Sequence, residues 1–440
     1  MNKLALVSLG CSKNLVDAEQ MLGMLTEAGF EIVENEEDAQ VLIVNTCTFI
    51  ESAKNESIEC ILELAQYKKS GKCRALIVTG CMAQRYKEQV LTEIPEVDAV
   101  VGTNEYNKIV EIVKNIAELK NRLYCSEEPL LCENVPRLRT TAPYTAFLRI
   151  AEGCDNRCTY CVIPSIRGRY RSRRMEDILL EAQTMAEEGV RELVVIAQDT
   201  TRYGEDIYGE YRLAELLRQL CRIEKIAWVR VHYCYPELVT DALLDVFAEE
   251  EKLCNYLDIP IQHCSDAVLK RMGRRTNKKE ICALIQKIRT KLPDAAIRTS
   301  LIVGFPGETE EQFAELLDFV KEMRFDRLGV FTYSREEDTP AYQLDGQIEE
   351  EEKERRQEMI MLAQSEISEE LNQAKIGSVQ RVLVEDRDEI IKSYYGRTYA
   401  DSLDIDGKVF FKASRKLKGG TFVDVTIEQA LEYDLFGRES

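Results

Sequence analysis

Short, unbroken apolar runs alternate with segments of helical period through the first hundred residues. The runs are Leu4–Leu9, Val41–Val44, Ala75–Val78 and Val97–Val101. Between them, Asp17–Ala28 repeats its apolar positions every three or four residues and stops at Gly29. Helical stretches also run from about Ser52 to Lys69 and from Gln84. Apolar runs without alternation, separated by helices, predict a parallel sheet covered on both faces. The period is lost over 121–144, where Pro129, Pro136 and Pro143 fall, and this reads as a linker. A second alternation follows, with strands expected at Phe147–Ala151, Glu192–Ala197, Trp228–Tyr233, Tyr256–Ile261, Ile297–Val303 and Leu328–Thr332. Six β/α units predict an open or partial barrel. The charged segment Glu349–Lys375 reads as a solvated helix. From 378 onward, short strands and the turns Asp406-Gly407 and Gly419-Gly420 predict a small all-β module. The expected organisation is α/β: a parallel-sheet domain over 1–120, a linker over 121–144, a partial (β/α)6 barrel with a trailing helix over 145–375, and a β-barrel over 376–440.

Charge and cysteine usage narrow the classes. The 440-residue chain carries a formal charge of −20. That argues against a large basic surface for naked nucleic acid and favours a basic partner. Residues 376–440 hold ten Lys/Arg and twelve Asp/Glu, so the β-module is not an obvious nucleic-acid grip. Fifteen cysteines would be a disulfide framework in a secreted chain. The apolar run after Lys3 is too short for a signal peptide, and no stretch of about 18 apolar residues occurs. A cytoplasmic chain with reduced thiols is expected.

The strongest local signal is Gly153-Cys154-Asp-Asn-Arg-Cys158-Thr-Tyr160-Cys161. Three thiolates in eight residues can wrap one metal centre, and soft thiolates select zinc, copper(I) or iron–sulfur clusters. Structural zinc wants a fourth protein ligand. The only histidines, His232 and His263, are far off in sequence. The triplet follows the first strand of the predicted barrel, the edge where such folds do chemistry. Cys11, Cys47 and Cys81 each follow one of the first three strands. Parallel strands about 4.8 Å apart can bring three such loops to one point. Buried structural thiols remain the alternative for that set. The other nine cysteines, Cys132 and Cys264 among them, read as packing residues.

The CxxxCxxC spacing with Tyr160 before the last cysteine resembles the radical S-adenosylmethionine (SAM) superfamily. Ala197-Gln198-Asp199-Thr200, Pro260-Ile-Gln262-His263 and Arg298-Thr-Ser300-Leu-Ile-Val303-Gly304-Phe-Pro-Gly307-Glu308 stand at the ends of the second, fourth and fifth strands, in the order in which those enzymes hold SAM, so Gln198 and Arg298 are expected at strand ends. The resemblance implies SAM contacts from Tyr160, Gln198, Asp199, Gln262, Arg298, Ser300 and Val303. Across the whole chain the sequence is similar to the methylthiotransferases. Their N-terminal domain holds a second [4Fe–4S] cluster on three cysteines, matching Cys11, Cys47 and Cys81, and their C-terminal module is a TRAM β-barrel. Ser8-Leu-Gly-Cys11-Ser-Lys-Asn14-Leu-Val-Asp17, Ile163-Pro-Ser-Ile-Arg167-Gly-Arg169-Tyr170-Arg171-Ser-Arg173 and His232-Tyr-Cys-Tyr-Pro236 look like the branch that acts on ribosomal protein S12. That branch usually has proline where this chain has Ser12.

The resemblance therefore implies a transferase with two [4Fe–4S] clusters. One SAM methylates sulfur on the N-terminal cluster. A second is cleaved at the Cys154/Cys158/Cys161 cluster to a 5′-deoxyadenosyl radical, and methylthio is attached to the β-carbon of an S12 aspartate. An electron donor such as flavodoxin or ferredoxin is implied. The alternatives are a tRNA adenosine methylthiotransferase of the same architecture and a non-catalytic iron–sulfur or zinc RNA-binding protein. The arginines Arg167, Arg169, Arg171, Arg173 and Arg174 read equally as carboxylate-binding forks or as a solvated strand face.

Overall fold

The computed structural model describes residues 2–118, 120–128 and 135–440, so Cys132 and Pro129 lie outside the described residues. The first sheet contains Lys3–Ser8, Val41–Thr46, Ala75–Gly80 and Ala99–Gly102, all parallel. Two short edge strands, Glu31–Ile32 and Leu123–Tyr124, extend it to six. The second of these falls in the segment expected to be linker. Two residues of pairing are too few to leave a periodic signature. Val41–Val44 and Leu76–Val78 are fully buried, because one apolar cluster covers each face of the sheet. The strands that precede Cys11, Cys47 and Cys81 are immediate neighbours.

The second sheet has six parallel strands in chain order: Thr145–Arg149, Glu192–Ile196, Trp228–Val231, Leu253–Asp258, Ala296–Val303 and Arg327–Thr332. The first and last do not pair, so the sheet is open. Side chains alternate between its faces. Leu193, Val195, Val229, Val231, Ile297 and Leu301 join the covering helices in one large core. The alternate positions carry Arg149, Glu192, Arg230, Asp258 and Arg298, an inner face rich in charge.

Residues Val379–Asp388, Ser393–Arg397, Val409–Lys412, Phe422–Ala430 and Leu435–Glu439 close into a five-stranded barrel. It fills around Val382, Val384, Val409, Phe411, Val425 and Ile427. The helix before it, Glu350–Gln373, is not the solvated helix expected from its charge. Its Lys353, Arg356, Ile360, Gln364 and Ile367 are buried. Arg356 reaches Glu308 at 2.9 Å, and Asn372 and Gln373 donate to carbonyls of residues 430–432. Long charged side chains cover apolar surface with their stems and find partners with their heads.

The barrel docks on the central sheet through Glu192. This carboxylate is wholly buried between Arg397 (2.6 Å) and Arg230 (3.1 Å), both also buried. Burial works to raise its pKa, but Arg397 and Arg230 outweigh that and hold it at about 2 instead of 4.5. Removing one partner of such a pair leaves an unpaired buried charge. Glu192→Gln should therefore cost about 3–5 kcal/mol, read as a drop in the denaturation midpoint at neutral pH. Because the folded pKa is depressed, the contribution is complete above the ordinary value of 4.5 and is lost as pH falls toward about 2. The gap between wild type and variant should close over that interval.

Candidate metal and cofactor site

The first thiol set sits at the C-terminal edge of the N-terminal sheet. Cys11 lies three residues past its strand and caps the helix Ser12–Glu27. Cys47 directly follows Val41–Thr46, and its N–H is held by Ser57 Oγ at 3.0 Å. Cys81 directly follows Ala75–Gly80 and opens the helix Cys81–Tyr86. The loops converge. Gly10 has φ +85°, and a Cβ there would come within 2.6 Å of Cys47 Cβ and 2.8 Å of its sulfur. Only glycine lets the Cys11 loop approach Cys47 this closely. Burial pushes the Cys81 thiol up to about 12; Arg167 opposes the rise, and Cys11 and Cys47 add to it.

The second set follows the first strand of the central sheet. Gly153 again has positive φ, and a Cβ would lie 2.1 Å from the Arg169 carbonyl. The loop is pinned by Cys154 N–H to Gly168 O, Thr159 N–H to Met272 O and Ala341 N–H to Thr159 O. Burial pushes Cys154 up to about 11 and raises Cys161 further, with Cys158 beside each. Arg274 points one guanidinium N–H at Cys158 Sγ, at 3.8 Å, and stacks over the Tyr235 ring. The Tyr235 hydroxyl is 3.9 Å from the same sulfur.

The helix Ile163–Arg167 begins two residues after Cys161 and joins the two sets. Its Ile166, together with Val162, packs on Cys81. Its Arg167 donates to Cys81 Sγ at 3.5 Å, to Asn14 Oδ1 at 3.2 Å and to Glu152 at 3.1 Å, and pairs with Asp17 at 2.9 Å. Arg149 also joins Asp17 and Glu152. All four charged groups are buried. Each thiol set thus has one buried guanidinium directed at a sulfur, which suits thiolate ligands. No group of three or more His, Cys, Asp or Glu among the described residues is arranged around a single ion. A zinc–thiolate site would need its sulfurs about 2.3 Å from one point. A cluster of several iron atoms asks its thiolates to stand further apart than a single ion does.

The other expected site residues divide. Gln262, with φ +72°, bonds through its backbone to Ser300 and Ile302 of the adjacent strand, so Gln262, Ser300 and Val303 share one sheet edge. Tyr160 sets its ring edge against Phe305 there. Gln198 donates to Glu152 at 2.6 Å, and its own Oε1 is buried without a hydrogen-bond partner. Asp199 is fully buried and accepts from Asn156 of the Cys154–Cys161 loop and from Thr201. Arg298 differs from its expected strand-end position. It is the third residue of its strand, pairs with Asp258 at 2.8 Å and faces Asp406 of the C-terminal barrel at 4.0 Å. The strand begins a residue earlier than its apolar run, and its polar inner-face positions hid that depth. The arginine series also divides: Arg167 and Arg173 are buried in ion pairs, while Arg169 and Arg174 are exposed. Sequence reading missed Arg274, Tyr235, Glu152, Arg149 and Lys13 as site residues. Of these Lys13 and Glu152 had a local signal, each two residues from a cysteine of its set, and Tyr235 lay in the His232–Pro236 run.

Family models match three stretches: Uncharacterized protein family UPF0004 over 3–102, the Radical SAM superfamily over 148–320 and the TRAM domain over 376–439. The chain is 52% identical over 438 residues to "Ribosomal protein uS12 methylthiotransferase RimO" of Clostridioides difficile, covering 99% of this chain and 98% of that one. It is 53% identical over 440 residues to the protein of the same name from Desulforamulus reducens, covering 99% of each. Among solved structures, the radical S-adenosylmethionine methyltransferase TsrM from Kitasatospora setae, with cobalamin and a [4Fe-4S] cluster bound, aligns at TM-score 0.57 and 14% identity, over 78% of this chain and 74% of that one. The apo cobalamin-dependent S-adenosylmethionine radical enzyme OxsB aligns at TM-score 0.54 and 15% identity, over 82% and 56%. These two likenesses are of fold.

The Arg167 network yields a direct test. Arg167→Ala strands Asp17 and Glu152 with only Arg149 between them, and should cost about 3–5 kcal/mol of stability. Arg167→Lys, a point charge without the planar fork, should recover only part of that loss. Equilibrium denaturation of the three proteins checks the order.

Proposed function

The chain belongs to the ribosomal protein uS12 methylthiotransferases, and on that premise we propose that it adds a methylthio group to the β-carbon of an aspartate in ribosomal protein S12. The observation that carries the reading is the meeting of two thiol triads across one short helix, in a chain that matches its relatives from end to end. Cys154, Cys158 and Cys161 hold the cluster that binds SAM. Cys11, Cys47 and Cys81 hold a second. When bound, two [4Fe–4S] clusters and SAM supply the one-electron and methyl-transfer chemistry that an unactivated C–H bond requires and side chains cannot provide.

The protein's own part is position and electrostatics. Gln262, Ser300, Val303 and Tyr160 would hold SAM. Gln198 and Asp199 act from beneath: the first holds Glu152, and the second holds Asn156 of the cysteine loop. Arg298 is left to the inner face of the sheet. Arg274 and Arg167 each offer a positive N–H to one sulfur of a set, which favours ligated thiolate over free thiol. The raised thiols Cys81 and Cys154 must lose protons on ligation, so cluster assembly releases them. No helix among the described residues is long and apolar enough to cross a membrane. Flavodoxin or ferredoxin is the proposed source of electrons, and the cytoplasm the proposed location.

Anaerobic reconstitution should load about eight irons per chain. Replacing Cys154, Cys158 and Cys161 together with alanine should leave about half the iron and no SAM cleavage. Replacing Cys11, Cys47 and Cys81 should leave the other half, with SAM cleavage uncoupled from methylthiolation. Full iron and full methylthiolation in that second variant would remove the N-terminal cluster from the account. Mass spectrometry of S12 and of unmodified tRNA, incubated side by side, decides the substrate. Methylthio-adenosine in the tRNA with unmodified S12 would move the chain to the tRNA branch.

A further inference from the structure

Lys13 stands at the junction of the two thiol sets, with Tyr233 and Cys11 as its nearest polar partners and no carboxylate opposite it among the described residues. The residue is 8% exposed, and its ammonium lies 3.5 Å from the centroid of the Tyr233 ring. Among the described residues no carboxylate lies within ion-pair distance of it. Four largely buried arginines do have carboxylate partners: Arg149 and Arg167 pair with Asp17 and Glu152, Arg173 with Glu181, and Arg298 with Asp258. Burying an ammonium is costly unless it is paired, and a ring face offsets only part of that cost. An ammonium has three N–H donors, and Tyr233, which offers its ring face and a side-chain hydrogen bond, does not use all of them, so a donor is left for a ligand.

Its position is defined from both sides. Lys13 is in the first turn of the helix that Cys11 caps. Tyr233 belongs to the loop after Trp228–Val231, and Tyr235, two residues on, reaches Cys158. Tyr233 is held in the left-handed region, at φ +62°, a strained conformation for a non-glycine residue and one that concentrates at functional sites. One loop therefore links the ammonium to the second thiol set, while its own helix links it to the first.

We infer that Lys13 is a substrate-binding residue that receives the side-chain carboxylate of the aspartate to be modified. This rests on the S12 reading above. The β-carbon of aspartate is bonded directly to its carboxylate carbon, so fixing the carboxylate fixes the carbon that must face both clusters. Gln262, Ser300 and Val303, the residues proposed to hold SAM, stand on the central sheet, whereas Lys13 hangs from the N-terminal domain beside Cys11.

The test uses reconstituted holoenzyme of wild type, Lys13→Met and Lys13→Arg. Its substrates are S12 and S12 whose target aspartate is replaced by asparagine. Lys13→Met should raise KM for S12 about 10- to 100-fold, the loss expected for one charge-assisted hydrogen bond. Lys13→Arg should restore part of it. Wild type should bind the aspartate form more tightly than the asparagine form, and Lys13→Met should bind the two alike. Iron content and SAM affinity should match wild type. If Lys13→Met still prefers aspartate, the inference is overturned while S12 modification by wild type stands. Iron or SAM affinity lost in step with S12 affinity would also overturn it, by making Lys13 a counter-charge for the cluster or for SAM. Wild type that leaves S12 unmodified would sink the functional reading itself, and this inference with it.

Discussion

Arg149 and Arg167 have almost no water around them, so their charges must be neutralised by protein. Asp17 and Glu152 do this from two different domains, Asp17 from the helix behind Cys11 and Glu152 from the strand before Cys154. Two cations and two anions in contact are close to neutral as a group. Any one of them alone is an uncompensated buried charge. The domains consequently have little freedom to slide past one another. The distance between the thiol sets is set by this constraint and not by either cysteine motif.

The same logic governs the other end of the central sheet. Its inner face carries a charge on nearly every strand, a poor choice for a sheet packed on apolar neighbours. It becomes a good one when two further domains supply the partners. Glu192 takes Arg397 from the C-terminal barrel, and Asp401 of that barrel takes Arg327 at 2.5 Å. Such pairs contribute little net stability over a hydrophobic alternative, but they penalise every wrong arrangement heavily. Orientation is what a site assembled from two domains needs.

Near these layers Lys13 lies over the Tyr233 ring, and Tyr235 of the same loop reaches Cys158. The strain at Tyr233 and the buried ammonium at Lys13, with no carboxylate opposite it among the described residues, both run against stability, and both fall at this one place. Local rules are broken here while the surroundings over-determine the conformation. By contrast, Asp199 and Gln198 spend their polar groups on the cysteine loop and on Glu152, supporting the site from behind.

Much of the architecture was legible in the order of residues. Apolar runs separated by helical periods specify parallel strands because only a doubly covered sheet buries every side chain of such a run. Three cysteines in eight residues specify a shared centre because the chain between them is too short to separate them. Cys11, Cys47 and Cys81 were legible only through the strands they follow. The edge strand Leu123–Tyr124, the buried face of Glu350–Gln373 and the depth of Arg298 in its strand were not legible. Each depends on partners distant in sequence: Val100, Glu308 and Asp258. The sequence by itself determined which elements form and which thiols could bind metal, since both follow from local spacing. Only the tertiary structure decided which buried charges meet a carboxylate. A charge's fate depends on what lies across a buried interface: Arg167 meets Asp17 there, whereas Lys13, two residues from Cys11, meets the Tyr233 ring and no carboxylate among the described residues.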